Sequence, residues 1–272
     1  MALMLLMREV RCYPTGTVEG GDARNSWLGS PAGDAVEPFV TLRAVVEGPV
    51  DPITGYVCRI QTIDAVLREG AAALIARQCR SAGQAAPPAA TLLRDVFPVA
   101  AAIELDGVTL RSLTLATSPC LSFTMNDRSP DIVGMTQCFE FSAAHRLHCP
   151  ALSEEENRRL FGKCTNPNGH GHNYQIEVTV EGVPDETDGL VEPLPGFQRV
   201  VKERVIDRFD HKHLNLDCPE FESLNPTVEH IARVIWDLLD GAFDRARLAR
   251  VRVWETPKTF AEYAGPNSDS GG

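Results

Sequence analysis

Cys164-Thr165-Asn166-Pro167-Asn168-Gly169-His170-Gly171-His172-Asn173-Tyr174 leads out of a turn into Gln175-Ile176-Glu177-Val178-Thr179-Val180. His170, His172, Tyr174, Ile176, Val178 and Val180 share one parity, so the spacing predicts a strand with all six on one face. Gly169 and Gly171 remove bulk beside the imidazoles, which suits close approach of backbone to an ion or ligand. Upstream, Phe139, Phe141, Ala143 and His145 alternate with Glu140, Ser142 and Ala144, which places His145 at the end of another apolar strand face. Downstream, Val251, Val253 and Glu255 form a third such row, ending in a carboxylate where an inward-facing charge is unusual.

Between these rows the period changes. Phe197 to Phe209 carries apolar residues at 197, 200, 201, 205 and 209, a helical pattern. A second helix is expected to open at Asn225-Pro226-Thr227, with the proline in its first turn, and to end at Gly241. Its apolar positions 231, 234, 235, 238 and 239 make one stripe.

The first half follows the same plan. Met1 to Met7 reads as a first strand rather than a signal peptide, since it lacks a basic start and a small-residue cleavage site. Residues 12–38, rich in Gly, Pro, Asp and Ser, read as a long loop. Strands are expected at Val40 to Glu47 and Val108 to Ala116, with helices at Ile63 to Gln78 and from about Thr91. A gapless offset of 134 lays Val46-Glu47-Gly48 on Val180-Glu181-Gly182, Asp51 on Asp185, Gly55 on Gly189, Val66 on Val200 and Glu69 on Glu203. A register that persists through strand, turn and helix favours internal duplication. The order strand, strand, helix, helix, strand, strand therefore occurs twice. It predicts an α+β class with two tandem units, each a four-stranded antiparallel sheet with two helices on one face. The expected boundaries are 1–128 and 132–265, joined at Ser129-Pro130-Asp131, with a polar disordered tail over 266–272.

Composition narrows the function. The chain has 272 residues, 43% hydrophobic and 23% charged, within the range of globular proteins. A net charge of −11 argues against nucleic acid or an anionic membrane as partner, and no stretch reaches membrane-spanning length. Eight cysteines occur as singletons at 12, 58, 79, 120, 138, 149, 164 and 218 with no CxxC pair, which predicts free thiols in a cytoplasm.

His145, His170 and His172 are a sufficient donor set for tetrahedral zinc with one open position, and an open position implies Lewis-acid or water-activating chemistry. Each imidazole alone could equally be a hydrogen-bonded core residue. Cys164 is either a general acid/base or nucleophile beside the metal, or an inert small hydrophobe. Asp210-His211-Lys212-His213 offers a carboxylate that orients an imidazole, or a solvated helix end. Glu255 could answer a ligand with several N–H donors, such as the guanidine-like edge of a pterin, or could reach solvent.

Phe141-Ser142-Ala143-Ala144-His145-Arg146-Leu147, Phe161-Gly162-Lys163-Cys164, Gly169 to Tyr174, Asp210-His211-Lys212 and Glu255-Thr256 together resemble the 6-pyruvoyltetrahydropterin synthase/6-carboxytetrahydropterin synthase family over about 137–264. The resemblance implies a tunnelling fold (T-fold), whose subunits close their sheets side by side into a barrel, hence a homo-oligomer. It implies zinc on His145, His170 and His172, and 7,8-dihydroneopterin triphosphate as substrate, from which triphosphate is eliminated. Cys164, Asp210 and His211 would move protons, the last two normally across a subunit interface. Glu255 would anchor the pterin, and Thr227 would line its pocket. The Cys-x5-His-Gly-His spacing looks like the pyruvoyl-forming branch rather than the carboxy-forming branch of queuosine biosynthesis. The competing readings are that carboxy branch, a non-catalytic pterin-binding scaffold, and a zinc hydrolase, which would need no thiol. The first half contains no histidine and reads as a copy without metal ligands, with Ala116 in the place of Glu255.

Overall fold

A computed structural model describes residues 3–14, 39–81, 86–103, 105 and 107–266. The 15–38 part of the expected loop and residues 267–272 of the expected tail lie outside the described residues. Contacts divide the chain into two compact units, Met1–Met135 with Glu181–Val191, and Thr136–Val180 with Glu192–Gly272.

In the first unit β1 (Leu3–Cys12) pairs antiparallel with β2 (Val40–Pro49) from Leu3↔Pro49 to Cys12↔Val40. A helical stretch follows, α1 (Ile60–Ala65), a π-helical turn (Val66–Ala72) and α2 (Ala73–Ser81), then α3 (Ala89–Ala101). β3 (Thr109–Ser118) pairs antiparallel with β2, and β4 (Leu121–Asn126) with β3. Leu42, Ala44 and Val46 of β2 and Leu110, Leu113 and Leu115 of β3 are buried under the helices, while Arg43 and Glu47 alternate onto the other face. The period-2 pattern thus decides which face the helices cover.

The second unit takes β5 (Val133–His145), α4 (Glu154–Phe161) and β6 (His170–Gly182). Next come α5 (Leu194–Val201), a π-helical turn (Lys202–Ile206) and α6 (Asp207–Phe209), then β7 (Lys212–His213), α7 (Leu214–Asp217), α8 (Val228–Leu239), β8 (Arg247–Thr256) and β9 (Thr259–Tyr263). The strand order is β5-β6-β8-β9, and β7 pairs parallel to β5 with Ala143 opposite Lys212. Phe141 stacks on Tyr174 at 5.1 Å and meets Phe209 at 5.8 Å, so aromatic residues of β5, β6 and α6 form the core beneath the histidines. The architecture is α+β on antiparallel pairings, as expected.

The turns over residues 51–55 and 185–189 match in detail. Asp51 accepts amide bonds from Ile53 (3.0 Å) and Thr54 (2.7 Å), and the Gly55 amide donates to the Asp51 carbonyl at 2.9 Å. Asp185 accepts from the Thr187 amide (2.8 Å) and hydroxyl, and the Gly189 amide donates to the Asp185 carbonyl at 2.8 Å. Both glycines are left-handed, with φ of 74° and 70°, where a side chain is strained. Helices α1 and α5 begin at Ile60 and Leu194, again 134 apart, and each runs into a π-helical turn.

Four details differ from the sequence reading. The β3–β4 register passes from Ala116↔Ser122 to Ser118↔Leu121, and the β8–β9 register from Trp254↔Phe260 to Thr256↔Thr259. The bulged residues are therefore Thr117 and Glu255, so a comparison of the two strands by register sets Thr117, not Ala116, beside Glu255. Helix α8 starts after Thr227, whose hydroxyl accepts the His230 amide at 3.4 Å; Pro226 precedes the cap instead of entering the first turn. Helix α3 spans 13 residues rather than a short stretch, with Pro98 inside it. Helix α4 was unforeseen, although Ser153 and Glu156 form a capping box there.

No described helix is long and apolar enough to cross a membrane. All eight cysteines are free; burial pushes the thiols of Cys12 and Cys218 up to about 11, which makes them inert packing residues.

Candidate metal centre and its cleft

The three histidines converge because β5 and β6 are neighbours and their apolar parities face the same side. One ring nitrogen from each of His145, His170 and His172 lies within 4.8 Å of the others. His145 is fully buried, and its Nδ1–H donates to the Pro226 carbonyl at 2.8 Å. That bond fixes the tautomer and leaves the Nε2 lone pair pointing at His170 Nε2, 3.2 Å away. Burial pushes His145 down to about 4, against the pull of the Pro226 carbonyl, and burial also lowers His172. Both imidazoles are neutral at pH 7, the form that ligates.

The donor set fits a metal ion. His172 Nε2 and His170 Nδ1 are buried without a hydrogen-bond partner among the described residues, and such orphans are costly unless something answers them. Tetrahedral zinc with bonds of about 2.0–2.1 Å separates its nitrogen ligands by roughly 3.3 Å, close to the His145–His170 spacing. Gly169 sets the approach. It is left-handed at φ 68°, and a Cβ there would stand 2.7 Å from His213 Nε2 and 2.8 Å from the His145 carbonyl oxygen. Only glycine lets the chain pass between these groups.

Glu255 Oε1 lies 3.5 Å from Nε2 of both His145 and His172. It sits at the β8 bulge, which turns a residue of apolar-row phase toward the histidines. Cys164 is half-buried on a short 3-10 turn (Gly162–Thr165), and its carbonyl accepts the Leu147 amide at 2.8 Å. Burial first, then the Glu255 charge, raises its thiol above the ordinary range, so Cys164 rests as a neutral thiol.

Asp210 and His211 form a pair. Nδ1–H of His211 donates to Asp210 Oδ2 at 2.8 Å, while Asp210 Oδ1 accepts the Ser142 amide at 2.9 Å. The Ser142 amide, then His211, holds the Asp210 carboxyl below its usual range, so it is the fixed anion that orients the imidazole. The His211 amide returns to the Ser142 carbonyl at 2.6 Å, which anchors a backbone at φ 58°, the sole left-handed non-glycine among the described residues. His211 is 82% exposed in its side chain and shares a cleft of about 820 Å³ with His172, Glu255, Lys212 and His213. Thr227 caps α8; the residue that reaches the histidines from that segment is Pro226.

Two contributors were absent from the sequence reading. Pro226 acts through its carbonyl and Ser142 through its amide and carbonyl, and backbone groups leave no side-chain signature. His213 was seen only within the Asp-His-Lys-His run, and Gly169 marks its place.

This geometry defines an α+β domain whose strands carry a three-imidazole site that could hold one metal ion, with a carboxylate beside it. Residues 134–266 match the family model described as 6-pyruvoyl tetrahydropterin synthase. Human 6-pyruvoyl tetrahydrobiopterin synthase is 44% identical over 125 residues, 46% of this chain and 86% of that protein. A putative 6-carboxy-5,6,7,8-tetrahydropterin synthase of Pyrococcus abyssi is 30% identical over 144 residues, 45% of this chain and 84% of that protein. The solved Caenorhabditis elegans 6-pyruvoyl tetrahydropterin synthase is 39% identical, with a TM-score of 0.47 over 49% of this chain and 96% of that one. The chain belongs to the 6-pyruvoyl tetrahydropterin synthase family.

Proposed function

We propose that this chain is a zinc-dependent lyase that converts 7,8-dihydroneopterin triphosphate to 6-pyruvoyltetrahydropterin with release of triphosphate. The observation that carries the reading is the convergence of His145, His170 and His172 with Glu255 at 3.5 Å. Zinc on those three imidazoles would polarise the side-chain hydroxyls of the substrate as a Lewis acid. Glu255, a carboxylate at the end of an apolar row, accepts N–H bonds from the guanidine-like edge of the pterin. Cys164 carries protons between side-chain carbons and the ring. Since its thiol is neutral at rest, a base must take its proton, and His211, oriented by Asp210, has the form for that role. Thr227 supports the pocket from the start of α8. The conversion rearranges the side chain and expels triphosphate, so it needs no external oxidant.

Greater likeness to the human pyruvoyl-forming relative than to the archaeal carboxy-named one supports the pyruvoyl branch, as does the Cys-x5-His-Gly-His loop. The first half, 1–128, is read as a second copy of the same T-fold that lacks metal ligands, and 132–265 as the working copy. The shared 134-residue offset of turn and helix start, and the shared bulge before Ser118 and Thr256, support this. Closure of a barrel by several such units in a homo-oligomer belongs to the same reading. Free thiols fit a reducing cytoplasm.

Phosphorus NMR of the zinc-loaded full chain incubated with 7,8-dihydroneopterin triphosphate is expected to show inorganic triphosphate accumulating over many turnovers. Intact substrate bound to the protein would instead establish a pterin-binding scaffold.

A further inference from the structure

Lys212 has no assigned task, yet it lines the same cleft as His172 and Glu255. Its ammonium makes no hydrogen bond or ion pair with any described residue. Among the residues lining this cleft it is the one with a permanent positive charge; the acidic one is Glu255.

The strand order places it. Lys212 of β7 stands opposite Ala143 of β5. A Cβ on Gly171 would lie 3.5 Å from the Ala143 carbonyl oxygen, which puts β6 at the same height. One residue on, His172 faces Glu255 of β8 at 3.5 Å. Lys212, Ala143, His172 and Glu255 therefore form a row across β7, β5, β6 and β8. The backbones at its ends stand three strand spacings of about 4.8 Å apart, roughly 14 Å, and the Glu255 carboxylate reaches back from β8 to within 3.5 Å of His145 and His172. A pterin whose guanidine edge takes Glu255 as its partner directs its side chain along the row, away from β8 and toward β7. A bicyclic ring and three carbons at bond lengths of about 1.5 Å cover most of the span, and the phosphates come next.

We infer that Lys212 is the cation that receives the triphosphate of the substrate, and so selects the triphosphate ester over the unphosphorylated pterin. The inference rests on the reading of the substrate given above. A compact ammonium on a flexible stem suits a polyphosphate whose charge shifts as it departs.

The test is Lys212→Met and Lys212→Arg in the zinc-loaded full chain, with inorganic triphosphate as competitor. Lys212→Met is expected to raise KM for the triphosphate substrate about tenfold. It should weaken inhibition by inorganic triphosphate to a similar degree, with kcat changed far less. Affinity for unphosphorylated 7,8-dihydroneopterin and zinc content should stay as in the wild type, and Lys212→Arg should restore most of the KM. A Lys212→Met protein with wild-type KM and wild-type inhibition by inorganic triphosphate would overturn the assignment. Should the wild type bind inorganic triphosphate through Lys212 yet turn nothing over, the anion site stands and the reading of the reaction is what fails.

Discussion

Cys164→Ala is expected to keep its metal and lose turnover by roughly 10²–10⁴-fold, the span attributed to a positioned proton-transfer group. Cys164 is outside the three-imidazole cluster, so metal content measured by mass spectrometry should match the wild type. The thiol lies close enough to Glu255 for that carboxylate to raise it, which puts it beside the expected place of the pterin. Cys164→Ser should fail as well, because a hydroxyl gives up its proton far less readily than a thiol. A Cys164→Ala protein with wild-type kcat would contradict the proton-carrier role and return the residue to packing.

His172→Ala is expected to abolish both metal retention and turnover. Loss of an outer-shell partner of a metal site costs roughly 10–100-fold in affinity, and removal of one of three direct ligands should cost more. Thermal unfolding gives a readout independent of activity. A metal held at a free concentration about 1,000 times its dissociation constant stabilises the folded state by roughly 4 kcal/mol, so zinc should raise the wild-type Tm by several degrees. It should leave the His172→Ala curve unmoved. Since His172 Nε2 is a buried orphan without metal, the variant need not be less stable than the metal-free wild type. A variant that retains zinc at wild-type affinity would show that the ligands lie elsewhere.

Parity carried much of this site into view. His145, His170, His172 and Glu255 each end or begin a row of alternating apolar residues, and the strands are ordered so that the rows meet. The residues that position them were hidden for physical reasons. Pro226 is 81 residues from His145 in the chain and acts through a carbonyl that every residue possesses. Ser142 clamps the Asp210–His211 pair with its own amide and carbonyl, and the left-handed φ of His211 follows from that clamp rather than from local preference. Bulges leave no composition signal: one falls at Glu255 in β8 and another at Thr117 in β3, which hid Thr117 behind Ala116. Capping residues mark two helix starts. Ser153 with Glu156 announces α4, and the Thr227 hydroxyl outranks Pro226 as the start of α8.

Mass spectrometry of the pterin formed from 7,8-dihydroneopterin triphosphate by the zinc-loaded full chain separates the two products. A tetrahydropterin that keeps all three side-chain carbons as a pyruvoyl group is expected, together with free triphosphate. A product with a single side-chain carbon, the 6-carboxy compound, would contradict the pyruvoyl assignment.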